Sequence, residues 1–185
     1  MGATSASFRN ANRFFAAFVL FAALFPLHSV PCPAGDKFPL LEGWEFRKIE
    51  SGQPWRKAVV PGSVYTDLAS SKLIPDPLTG CNHQDLQWVS DSAWEYRLEF
   101  KPDPMMYTGT RLFLTFEGLD TLAEVSLNGS HLFRADNMFR RWSCEIGSKI
   151  QPGANTLHIL FHPAPAYCRD QAKKMDHPLP GGEWA

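Results

Sequence analysis

The sequence predicts a mainly β protein, an antiparallel β-sandwich of two sheets, and three observations carry that expectation. In "WEYRLEF", Trp94, Tyr96, Leu98 and Phe100 alternate with polar residues, as in a half-buried strand. In "TLAEVSLNGSHLF", Asn128-Gly129 interrupts a second alternating run, and a pair able to take positive φ at both central positions is the strongest short hairpin signal. Short turn-linked runs recur with one brief helix and no strand–helix–strand alternation, which favours antiparallel sheets packed face to face. A jelly roll is preferred to an immunoglobulin-like sandwich, although pattern alone barely separates the two.

Taken in order, "GWEFRKIESGQPWRKAVVPG" predicts strands over Trp44–Ile49 and Arg56–Val60 around the turn-like "ESGQP". A helix follows over about 63–72: Ser63 suits an N-cap, Val64 and Leu68 share a face, and Pro75 closes the segment. Next come the strand of Trp94–Phe100, the connection "KPDPMMYTGT" and a strand in "RLFLTFEG" with Leu112, Leu114 and Phe116 on one side. After the hairpin, "QPGANTLHILFHP" reads as a turn feeding a strand whose Leu157, Ile159 and Phe161 point one way. The Pro-rich tail from residue 166 contains a short helix near Ala166–Met175 and reads as cut off at "GGEWA", as in a fragment or truncated gene product. The sandwich is assigned to residues 35–165, enough to bury one core.

The 185 residues are 44% hydrophobic and 20% charged, the profile of a folded domain, and a net charge of −1 gives no field suited to nucleic acid. Arg9 and Arg13 before the apolar run Phe14–Phe25, then a small-residue site at Ala34, follow the order of a secretory signal peptide over residues 1–34. A retained membrane anchor and a lipid-attachment box are the weaker readings, because the run is short and Pro31 spoils the box. The expected location is the secretory pathway, ending outside the cell, in the lysosome or in the periplasm, with no membrane contact after cleavage. Cys32 leaves with the leader, so Cys81, Cys144 and Cys168 either form one disulfide with one thiol left over or are all buried thiols. The absence of Cys-x-x-Cys argues against structural zinc, and no metal or other cofactor is expected.

Chemistry-bearing residues are few. His158 and His162 are spaced as on a metal-binding helix but sit in a strand pattern, so two exposed strand histidines are expected. Asp85, Asp91, Asp120 and Asp136 are loop carboxylates, each better suited to capping or turn duty than to paired acid–base work. Arg140, Arg141 and Trp142 offer a stacking surface, with a solvated face as the plainer reading. Trp88 and Trp184 suit sugar stacking as exposed indoles, whereas Trp44, Trp55 and Trp94 are as easily core. Asn128-Gly129-Ser130 is also an N-glycosylation sequon.

In order, "GWEF", "VVPGSVYTDLASSKLIPDP", "LQWVSDSAWEYRLEF", "LTFEGLDTLAEVSLNG" and "ADNMFRRW" resemble the N-terminal domain of β-mannosidases of glycoside hydrolase family 2. The resemblance runs from about Leu41 to Phe161 and implies a jelly-roll, galactose-binding-like domain at the head of a longer enzyme. It further implies hydrolysis of terminal β-D-mannose with retention by two glutamates of a catalytic (β/α)8 barrel, a partner missing here, so no catalytic residue is expected in this chain. A sugar-touching Trp-Asp-Trp-Gly motif of the family is also absent. By the same resemblance a loop after the hairpin lies near the barrel's active-site mouth, which makes Asp136, Asn137 and Arg140 substrate-binding candidates beside Trp88. The alternatives are a free-standing carbohydrate-binding module with a platform made by Trp88 and the Asp136–Trp142 loop, and a scaffold that packs on the barrel without touching ligand.

Overall fold

The structure is a computed structural model that describes residues 38–50, 52–103 and 111–177. The expected leader, most of the connection between the third and fourth strands, and Trp184 lie outside the described residues. The chain divides after Pro39 into two units, and every regular element among the described residues belongs to the second, Leu40–Ala185.

Among the described residues eight strands and four short helices follow in the order β1 (Trp44–Lys48), β2 (Arg56–Lys57), α1 (Val64–Ser70), α2 (Asn82–Asp85), α3 (Gln87–Ser90), β3 (Trp94–Phe100), β4 (Phe113–Phe116), β5 (Ala123–Leu127), β6 (Ser130–Ala135), β7 (Trp142–Glu145), β8 (Asn155–Phe161) and α4 (Ala164–Ala172). Six strands form one sheet in the order β2-β1-β3-β8-β5-β6, and β4 pairs with β7 in a second. All the pairings are antiparallel, as the alternating runs predict.

Register sorts the large sheet into two chemistries, because successive side chains point to opposite faces. On the inner face Phe46, Tyr96, Ile159 and Val125 are successive partners, and so are Trp44, Leu98, Leu157 and Leu127. These residues are buried and form the core with Leu114 of β4 and Ile146 beyond β7. The small sheet closes over it at the hairpin, where Phe133 meets Phe116 edge-on at 5.9 Å and stacks on Trp142 at 5.6 Å. On the outer face Arg47 is opposite Glu95, with an N–O distance of 2.6 Å, and Arg97 is opposite Glu45 at 2.8 Å. Trp55, open as core or surface from the sequence, lies against both guanidinium groups at 4.3 and 4.2 Å.

Between β2 and β3 the helical segment packs on the inner face. Ser63 caps α1 as expected: its hydroxyl accepts from the Thr66 N–H while Thr66 Oγ1 accepts from the Ser63 N–H, a reciprocal capping box. Just before it, a Cβ at Gly62 would collide with the Val59 carbonyl oxygen. α1 carries a buried charge that the pattern reading passed over. Asp67 is 2% exposed, with Oδ1 accepting from the Val59 N–H at 2.9 Å and Oδ2 from the Tyr96 hydroxyl at 2.9 Å. Trp94 is also anchored here, its indole N–H donating to Val89 O at 2.9 Å.

The hairpin forms with φ of +52° at Asn128 and +77° at Gly129, and β5 slips register against β6 between Val125 and Ser126. Its tip is tied to the start of β8 by a second buried polar group. Asn155 is fully buried; its amide nitrogen donates to Gln151 O at 2.8 Å and Gly153 O at 3.0 Å, and its oxygen accepts from Gln151 N–H and Asn128 Nδ2, both at 2.8 Å. Every lone pair and proton of that amide is used, which removes the cost of burying it.

Three expectations need correction. β2 is only two residues, although the Ala58 N–H still donates to Trp44 O at 2.8 Å, because Val59 is drawn off to Asp67. The tail helix is Ala164–Ala172 and starts earlier than expected: Pro165 lies in its first turn, where a missing N–H costs nothing. The described cysteines fit neither alternative, for all three are free thiols, Cys81 and Cys168 exposed and Cys144 partly so.

Candidate functional site

Two clefts in the described part of the second unit have linings that share no residue. The first, about 290 Å³, lies beside the end of β1 and takes in Lys48, Glu50, Arg56, Trp88 and Trp94. Trp88 is 39% exposed, but its ring is not a bare platform. The Lys48 ammonium stands 5.3 Å from the centre of that ring and 2.5 Å from Glu50, and Trp94 packs against the indole at 6.1 Å.

The second cleft, about 450 Å³, opens where β5 begins, β6 ends and α4 begins. Ala123 and Ala135 face each other across the ladder, and their small side chains leave the hollow. Leu122, Pro163, Ala166 and Tyr167 form apolar walls; Arg134, Asp136 and His162 supply polarity. Beside it Glu124 accepts from Arg134 at 2.7 Å and stands 3.1 Å from His162 Nε2. Partial burial works against its ionisation, yet the His162 hydrogen bond and the charges of Arg134, His162 and His131 hold the Glu124 carboxyl below the usual carboxylate range. Asp136 makes no hydrogen bond or ion pair with the described residues, so its carboxylate is uncommitted.

The remaining candidates fall outside both linings. The Asn137 side chain accepts from the Phe139 N–H at 2.9 Å and its carbonyl from the Trp142 indole N–H at 3.2 Å, while Arg140 lies 4.7 Å over the Trp142 ring. Arg141 pairs with Glu117 at 2.7 Å. The candidate substrate residues therefore separate into Trp88 in one cleft, Asp136 in the other, and Asn137 with Arg140 bracing the loop between β6 and β7. Asp91 caps α3 and lies 3.7 Å from Arg169, and Asp120 accepts from the Thr121 hydroxyl. His158 is half-buried, 3.8 Å from Glu95, and like His162 is occupied by a carboxylate rather than by its fellow histidine. Among the described residues no group of three or more His, Cys, Asp and Glu is placed to hold a metal, and no helix is long and apolar enough to cross a membrane.

Sequence reasoning missed Asp67, Asn155 and Tyr167. The first two left a signal: Asp67 falls at i+3 from Val64 on the face that carries Leu68, and Asn155 is in phase with Leu157 and Ile159. A polar residue in phase with an apolar stripe is a buried polar group in waiting. Tyr167 left none, because its helix is not amphipathic enough to assign a face.

Comparison with known proteins places this geometry. Residues 44–184 match the glycosyl hydrolase 2 galactose-binding domain-like family. β-Mannosidase B of Thermothelomyces thermophilus is 37% identical over 142 residues, 76% of this chain and 16% of its own length, and that of Aspergillus oryzae is 33% identical over 145 residues, 76% and 17%. The β-D-mannosidase of Dictyoglomus thermophilum superposes with a TM-score of 0.74 at 35% identity, over 78% of this chain and 18% of that one. An exo-chitosanase of Amycolatopsis orientalis shares the fold alone, with a TM-score of 0.59 at 20% identity over 70% of this chain and 17% of its own. The chain thus spans about a sixth of the length of the curated relatives it matches. Its mainly antiparallel β architecture and its blocks from "GWEF" to "ADNMFRRW" meet in one assignment: the chain belongs to the glycosyl hydrolase 2 galactose-binding domain-like family.

Proposed function

We propose that this chain is the non-catalytic N-terminal domain of a β-mannosidase that hydrolyses terminal β-D-mannose residues, and that the reacting carboxylates belong to a barrel outside it. The observation that carries this reading is the 35% identity to a β-D-mannosidase over 78% of the chain, in an alignment that takes up only 18% of that enzyme. The chemistry of the described carboxylates agrees. Glycoside hydrolysis needs one carboxyl kept protonated near neutral pH and a second one ionised about 5–10 Å away. Burial does raise the Asp67 carboxyl, but both its oxygens are bonded inside the fold and it is closed to substrate. Glu124, beside the open cleft, is shifted the other way.

In this reading the free carboxylate of Asp136 faces carbohydrate, Asn137 and Arg140 hold its loop, and Trp88 serves packing. The purified chain is expected to release no aryl alcohol from an aryl β-D-mannoside, whereas a longer protein carrying the same residues together with its barrel does. Turnover by the 185-residue chain above a mock preparation would overturn the proposal.

The sequon has its own expected outcome. Both protons of Asn128 Nδ2 are committed, to Lys149 O at 3.0 Å and Asn155 Oδ1 at 2.8 Å, and Asn128 Oδ1 accepts from the Thr156 N–H at 2.9 Å. A glycan would replace one of those protons. Folded protein from a eukaryotic secretory host is expected to carry an unmodified Asn128, read by intact mass; Asn128→Asp should cost about 1–2 kcal/mol in a denaturation midpoint.

A further inference from the structure

The cleft between the hairpin and α4 has the parts of a small carbohydrate site, and one of them comes from α4 rather than from the loop after the hairpin. Its floor is a pair of alanines, Ala123 and Ala135, so the hollow exists because volume is withheld there. Asp136 lines it with a carboxylate that makes no hydrogen bond or ion pair with the described residues. Tyr167 of α4, 47% exposed, lines it as well. Its hydroxyl makes no hydrogen bond with the described residues. The remaining charges are already spent on one another, since Arg134 and His162 both attend Glu124.

An aromatic wall, an apolar floor and one acceptor-only group together suit a ligand with a C–H face and adjacent hydroxyl donors. An anion would meet Asp136, and a purely apolar ligand would strand that carboxylate and cost its desolvation. The volume, about 450 Å³, lies within the range of small-molecule sites. We propose that this cleft binds a single neutral pyranose ring, with the C–H face on Tyr167 and two neighbouring hydroxyls donating to Asp136. Charge-assisted O–H···O⁻ bonds to a carboxylate are among the stronger polar contacts. This rests on the reading of the chain as a carbohydrate-handling domain but not on its having a barrel.

The test uses the 185-residue chain with methyl β-D-mannopyranoside, followed by saturation-transfer NMR and by titration of protein resonances. Saturable binding is expected, lost in Tyr167→Ala and in Asp136→Asn and kept in Tyr167→Phe, with thermal midpoints unchanged because both side chains lie at the surface. Methyl β-D-glucopyranoside and glucosamine serve as companion probes. Absence of saturable binding would overturn the site, as would binding that survives both variants or preference for the cationic amino sugar over the neutral ones. Each of those results leaves the β-mannosidase reading untouched, since that stands or falls on hydrolysis by the longer protein.

Discussion

Phe46→Ala is expected to lower the stability of the domain by about 3–5 kcal/mol, read as a shift of the urea midpoint at unchanged slope. Phe46 is fully buried, and its ring packs on Trp94 at 6.0 Å and on Tyr96 at 5.7 Å. It occupies the inner row that runs across β1, β3, β8 and β5, so truncation opens a void where four strands meet. Sheet hydrogen bonds hold the backbone around it and limit collapse into the space. Single domains keep about 5–15 kcal/mol in all, so a loss of this size removes much of the margin. Phe139→Ala is the matched control: that ring is 90% exposed and should change the midpoint by less than about 0.5 kcal/mol. A shift of that small size for Phe46 itself would refute the assignment of the inner row.

Asp67→Ala should cost about 3 kcal/mol for a different reason, since it creates polar orphans as well as space. It would leave the Val59 N–H and the Tyr96 hydroxyl without acceptors in a site where Asp67 itself is 2% exposed. The pair also writes a pH signature. Burial pushes the Asp67 carboxyl above its ordinary 3.8, against the opposing hydrogen bonds from Val59 and Tyr96. Burial, with the Asp67 charge and hydrogen bond added, pushes the Tyr96 phenol far above its ordinary 10.0. Both native values are raised, so each group's contribution is complete below its unfolded value and is lost as pH climbs. For Asp67 that loss begins above about pH 3.8, and for Tyr96 it begins above pH 10. Wild-type stability should therefore fall more steeply above pH 10 than that of Tyr96→Phe, a comparison made by denaturation at matched ionic strength. Parallel curves for the two proteins would remove the linkage.

Much of this architecture was legible in the residues. Alternation located β3 and β8, and Asn128-Gly129 located the hairpin, because backbone period and turn sterics are local properties. Ser63 announced α1 for the same reason. What stayed hidden was relational. Nothing within the sequence around Trp55 says that two arginines from different strands will meet its ring, and nothing near Trp88 says that Lys48 will cover it. The grouping of Asp136, correctly singled out as a loop carboxylate, with Tyr167 depends on how α4 returns against the hairpin, which no spacing reports. α4 starts before the expected Ala166 because Pro165 lies in its first turn, where a proline breaks nothing.

The charged outer face between β1 and β3 has a consequence for assembly. A strand that slips by one residue exposes its apolar set, an error that the hydrophobic effect corrects by itself. A slip of two residues keeps the apolar set inward and escapes that check. Here it does not go unnoticed: in one direction Arg47 would come opposite Arg97 and Glu45 opposite Glu99, and in the other Glu45 would come opposite Glu95. Like charges directly across a ladder repel. These five side chains thus act as a proofreading code for strand alignment, and exchanging Arg97 with Glu95 would rewrite the code to favour the misaligned pairing.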